Sequence, residues 1–90
     1  MFMSTKKGAP LSFEGANKMR VSKGQAVLYI FNELKEKGYI FKQDIINTLD
    51  INELTFWRYI QEIRSFLYNF YIPYEIKFIK SEDKYVILAV

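Results

Sequence analysis

The stretch "INELTFWRYIQEIR" (51–64) carries Thr55, Arg58 and Gln61 at three-residue spacing, with Trp57 beside the arginine. An arginine presents a planar fork of N–H donors that can pair with both acceptors of a guanine edge, O6 and N7. A glutamine amide holds a donor and an acceptor side by side and can match adenine. A threonine near a helix start is suited to a phosphate oxygen. Trp57 adds a large ring with one polar atom, which can lie against a nucleic-acid backbone, a protein partner or the rim of its own core.

Other chemistry is narrowed by what the chain lacks. Its 90 residues contain no cysteine and no histidine. That removes disulfides, the usual zinc ligand sets, the commonest nucleophile and the commonest general base. Glu62, Asp44, Tyr59 and the lysines do not fall into a paired acid and base. An enzyme is therefore not expected, and no cofactor or metal is implied. No apolar run approaches the roughly 18–20 residues that span a bilayer, and the leading "MFMSTKKGAPLSFEG" has no signal-like apolar core. A cytoplasmic protein with no membrane partner is the expectation.

Net charge is +3, unevenly spread. Residues 1–24 carry five basic groups against Glu14, whereas residues 25–90 carry eight basic and nine acidic groups. Residues 1–20 read as a flexible basic arm, and residues 21–90 as one small folded domain. Half of all residues are apolar, as a core of this size requires.

The elements that must position the candidate residues follow from caps and periods. "VSKGQAVLYIFNELKEKG" starts with a Ser22/Gln25 capping box, repeats apolar residues at Val27, Ile30, Phe31 and Leu34, and closes on Gly38. Tyr39–Phe41 allows a very short strand. Lys42–Leu49 fits a short helix with Ile45, Ile46 and Leu49 inward, and "LDIN" then breaks the pattern. A third helix is predicted from Glu53 to about Asn69, capped by Asn52 and halted before Pro73. On it Phe56, Ile60, Ile63 and Leu67 share one face, while Leu54, Arg58, Gln61 and Ser65 point away; Trp57 and Tyr68 flank that outer face. After Pro73 the period shortens to two in "YEIKFI". A polar "KSEDK" and "YVILAV" complete a hairpin. The expected fold class is α+β, a winged helix-turn-helix of three helices followed by a two-stranded β-hairpin wing.

In that arrangement the second helix of the pair enters the major groove. Lys42 and Gln43 begin the first helix of the pair, where phosphates commonly meet backbone amides. Lys77, Lys80 and Lys84 lie on the hairpin, within reach of an adjacent backbone.

Residues 26–88 resemble the N-terminal winged helix-turn-helix of DeoR-type and WYL-domain bacterial transcription regulators. The likeness is carried by the turn "LDIN", the helix opening "ELTFWRYIQEIR" and the closing "KYVIL". Three departures accompany it: Asn52 for the usual serine, Tyr59 for the aspartate after the arginine, and a wing tip without glycine. The resemblance implies sequence-specific double-stranded DNA binding by the third helix, with Thr55 and Arg58 on the family's threonine and arginine positions. Homodimerisation would suit it, since paired half-sites raise affinity. The competing expectation is a winged-helix protein-interaction module that meets a protein partner through Leu54, Trp57 and Tyr68.

Overall fold

The computed structural model describes residues 21–90; the expected basic arm, 1–20, lies outside them. Helix α1 spans Lys23–Lys37. Its N-terminus is closed by the expected capping box: Ser22 Oγ accepts from the Gln25 N–H and Gln25 reaches back to the Ser22 N–H. Its C-terminus ends at Gly38, whose φ of 88° is the left-handed conformation that only glycine adopts without strain. The Gly38 N–H donates to the Leu34 carbonyl at 2.7 Å. The buried stripe runs Ala26–Ile30–Leu34, with Val27 and Phe31 half-buried at its margin. Ile30 and Leu34 are buried as expected, and the core face is turned toward Ala26, away from Val27 and Phe31. The small Ala26 sits where the helix meets the rest of the core.

Strand β1 is Tyr39–Phe41, helix α2 is Lys42–Leu49 and helix α3 is Glu53–Asn69. Between the last two, Asp50 takes a left-handed conformation (φ 55°), which aspartate tolerates better than most side chains. Asn52 Oδ1 then accepts from the Thr55 N–H at 2.8 Å, the N-cap that starts α3. Removing that acceptor in Asn52→Ala is expected to cost about 1 kcal/mol, read as a lowered melting temperature. An unchanged melting temperature would mean that the cap adds nothing.

All four residues expected on the inner face of α3, Phe56, Ile60, Ile63 and Leu67, are buried. They pack with the α1 stripe, Ile45 and Leu49 of α2, and Ile40, Ile76 and Tyr85 of the sheet in one core. The helix closes through the Ile72 N–H, which donates to the Leu67 carbonyl at 2.9 Å, with Tyr71 left-handed at φ 57°.

Strands β2 (Tyr74–Ile79) and β3 (Lys84–Ala89) form the hairpin. The short β1 joins it, pairing antiparallel with β3 so that Ile40 faces Tyr85. The sheet is thus three-stranded, in the order β1-β3-β2, with β3 in the middle. The hairpin connection is one 3-10 turn, Lys80–Glu82, followed by Asp83 at φ 53°. Asp83 takes the left-handed position that a glycine often fills, so a tip without glycine still turns. The element order α1-β1-α2-α3-β2-β3 is that of a winged helix-turn-helix.

Candidate nucleic-acid interface

The geometry of α3 divides its side chains cleanly. With Phe56 and Ile60 fully buried, the outward face is left to Leu54, Trp57, Arg58, Gln61 and Ser65. Trp57 and Leu54 are 51% and 56% exposed, Arg58 is exposed and Gln61 half-buried. Trp57, Arg58, Gln61 and Ser65 line one shallow open groove together with Glu62 and Lys23. Trp57 is thus a boundary residue. Its half-covered ring shares that groove with the first turn of α1, not with the hairpin or α2.

Lys23 was not visible as a site residue in the sequence. It reaches the groove because α1 crosses α3, and its ammonium pairs with Glu62 at 3.0 Å. No local signal could have found this pair, which is 39 residues apart in the chain. Thr55 is half-buried at the helix start, with its N–H held by the Asn52 cap.

The basic candidates outside α3 fall into two groups. Gln43, Lys77 and Lys80 are exposed, and among the described residues Lys77 and Lys80 have no carboxylate partner. Lys42 and Lys84 are engaged. Lys84 pairs with Glu82 at 2.8 Å and lies over the Tyr39 and Phe41 rings, with its ammonium 5.1 and 5.8 Å from their centroids.

Lys42 is engaged further. Its ammonium meets Glu53 at the start of α3 and Asp83 at the wing tip, the latter at 3.3 Å. Its backbone N–H also donates to the Asp83 carbonyl at 3.3 Å, so this amide at the start of α2 already has a partner. The hydrogen bond that Lys42 donates to Glu53 holds its pKa above the ordinary lysine value; burial opposes this and Asp83 adds to it. The group stays charged throughout the physiological range.

Side-chain tethers join the wing to all three helices; from α1, Lys35 donates to the Tyr74 hydroxyl at 3.2 Å. At the base, Arg64 of α3 donates to the Ile76 carbonyl at 2.9 Å; at the tip stands Lys42. Tyr68, 80% exposed, lies 11 residues beyond Trp57 and so about 16 Å along the helix axis. It lines a different, largely apolar groove with Tyr71, Ile72, Pro73 and Val90. Leu54, Trp57 and Tyr68 are all exposed, but they do not form one patch.

Among the described residues no group of His, Cys, Asp or Glu could hold a metal ion, and no helix is long and apolar enough to cross a membrane. Comparison with protein-family models, curated proteins and solved structures gives no match.

Proposed function

We propose that this chain binds double-stranded DNA sequence-specifically, as a small cytoplasmic transcription regulator of bacterial or phage type that reads the major groove with α3. The observation that carries this reading is the outward face of α3. Arg58 and Gln61, two side chains able to pair with base edges, stand in the same open groove as Trp57, on the second helix of a helix-turn-helix pair. The resemblance to DeoR-type and WYL-domain regulators supports it, and Lys80 at the wing tip is free to meet phosphate.

The described domain brings little charge to the task. Residues 21–90 hold nine Lys and Arg against nine Asp and Glu. Phosphate neutralisation supplies most non-specific affinity, so a single copy of this domain binds mixed sequence weakly at physiological salt. Two copies on paired half-sites, and the basic residues of 1–20, are the natural supplements.

Selection from a randomised duplex pool tests the reading. Enrichment of a defined motif is the expected result, and a pool that stays random after repeated rounds contradicts it. In the same assay Lys80→Ala is expected to weaken preferred and mixed sequences alike, and to lower the slope of log K against log salt by about 0.9. An unchanged slope would remove Lys80 from the contact set.

The second reading, a protein-interaction module, is favoured by the exposure of Leu54, Trp57 and Tyr68. It predicts that Leu54→Ser and Trp57→Ser abolish partner binding while Arg58→Ala does not, whereas the DNA reading ranks Arg58 first.

A further inference from the structure

Three parts of the chain that a winged helix uses to grip DNA converge on one ammonium. Lys42 opens α2, Glu53 opens α3 and Asp83 closes the hairpin tip, and Lys42 Nζ contacts both carboxylates. A lone exposed ion pair adds little stability. This one differs in being shared. The Lys42 side chain is 17% exposed and runs beside the Phe78 ring, its ammonium 5.8 Å from the centroid, while its own backbone N–H is bound to Asp83. Phe78 in turn packs on Tyr85, and Tyr85 on Phe56 in the core of α3. The ammonium thus sits on a continuous stack that leads from the wing to the inner face of the reading helix.

We propose that Lys42 is a positioning residue: it fixes the wing tip to the N-terminus of α3, so that both present to DNA at one set angle, and it does not itself contact phosphate. The proposal rests on the DNA-binding reading and gives Lys42 a different part in it. Two consequences follow from the chemistry. First, with its ammonium shared between Glu53 and Asp83, Lys42 has little left to offer a phosphate. Second, its charge offsets half of that carried by two carboxylates that would otherwise repel the DNA backbone more strongly at this edge. Removing it both loosens the wing and exposes that repulsion.

The test uses Lys42→Met, which keeps the aliphatic stem beside Phe78, with Lys42→Arg as the conservative rescue and Asp83→Asn as an independent break. Asparagine tolerates the left-handed backbone at 83, so Asp83→Asn keeps the turn while removing the charge. In the free protein, residual dipolar couplings of the amides of 80–84 relative to those of α3 report the wing angle. Binding is then measured on the selected duplex and on mixed sequence, each across a salt series.

In Lys42→Met and Asp83→Asn the couplings of 80–84 are expected to shrink and cease to fit the orientation of α3, and Lys42→Arg restores them. Lys42→Met is expected to lose at least tenfold on the selected duplex, while its salt slope does not fall. A merely structural lysine would lower the melting temperature without narrowing the gap between selected and mixed sequence.

Unchanged couplings in both breaking variants overturn the proposal. So does a salt slope lowered by about 0.9 with equal losses on both duplexes, which is the signature of a phosphate contact. A parent protein that binds no duplex overturns the DNA reading and the docking role of Lys42 with it. The couplings measured without DNA still report whether this lysine sets the wing angle.

Discussion

Phe56→Ala is expected to destabilise the domain by about 3–5 kcal/mol, the range for emptying a buried aromatic site. Phe56 is 0% exposed, the largest of the fully buried side chains, and its ring meets Tyr85 edge to face at 5.4 Å. It joins the middle of the core to the central strand of the sheet, so the space it leaves opens toward both. A domain of this size has a total stability of roughly 5–13 kcal/mol, so the loss is a large share of it. At about 4 °C or more for each kcal/mol, the melting temperature is expected to fall by more than about 12 °C, read by circular dichroism. Tyr68→Ala on the same helix is the control. That side chain is 80% exposed and its loss is expected to change stability by less than about 0.5 kcal/mol. Equal effects from the two would mean that α3 does not bury the face described above.

The second large effect concerns recognition. Arg58→Ala is expected to remove about 1–3 kcal/mol of discrimination between the selected duplex and one altered at a single guanine, roughly 5- to 150-fold. The fold is expected to be untouched, because Arg58 is exposed and turned away from Phe56 and Ile60. The next residue, Tyr59, is half-buried against the core. Arg58 shares its open groove with Gln61 and Glu62. Gln61→Ala is expected to relax a different base position. If Arg58→Ala weakens selected and mixed sequences equally, the arginine touches phosphate and base reading lies elsewhere on α3.

Much of this architecture can be read from the chain because its signals are local. The Ser22/Gln25 box, Gly38 and Asn52 mark helix ends through contacts spanning three or four residues. The buried face of α3 follows from its period alone. The stripe of α1 was less legible: Ala26 counts little on an apolar scale, yet it is buried and the larger Phe31 is half-exposed. The role of Tyr39–Phe41 was legible only as a strand, since its partner is Lys84–Val86, more than 40 residues away.

The same limit governs the site. The outward set of α3 is a property of one helix and could be drawn on a wheel. Lys23 beside Arg58, Arg64 on the Ile76 carbonyl, and Lys42 between Glu53 and Asp83 each depend on two or three elements meeting. Lys42 shows this most clearly. As the first residue of a short helix it reads as a phosphate ligand, and only the return of the hairpin tip shows its two carboxylate partners.

The measurement that tests the central claim most directly uses the single tryptophan as its own reporter. Trp57 stands in the groove with Arg58 and Gln61 and is half exposed, so a duplex seated on α3 must change its surroundings. Mixed-sequence duplex is titrated into the protein at low and then at moderate salt, following Trp57 fluorescence, with light scattering as the independent sign of complex formation. A saturable change that weakens steeply as salt rises is the expected result. No change in fluorescence, with no complex seen by scattering at low salt, would contradict DNA binding by α3 and transfer its exposed face to a protein partner.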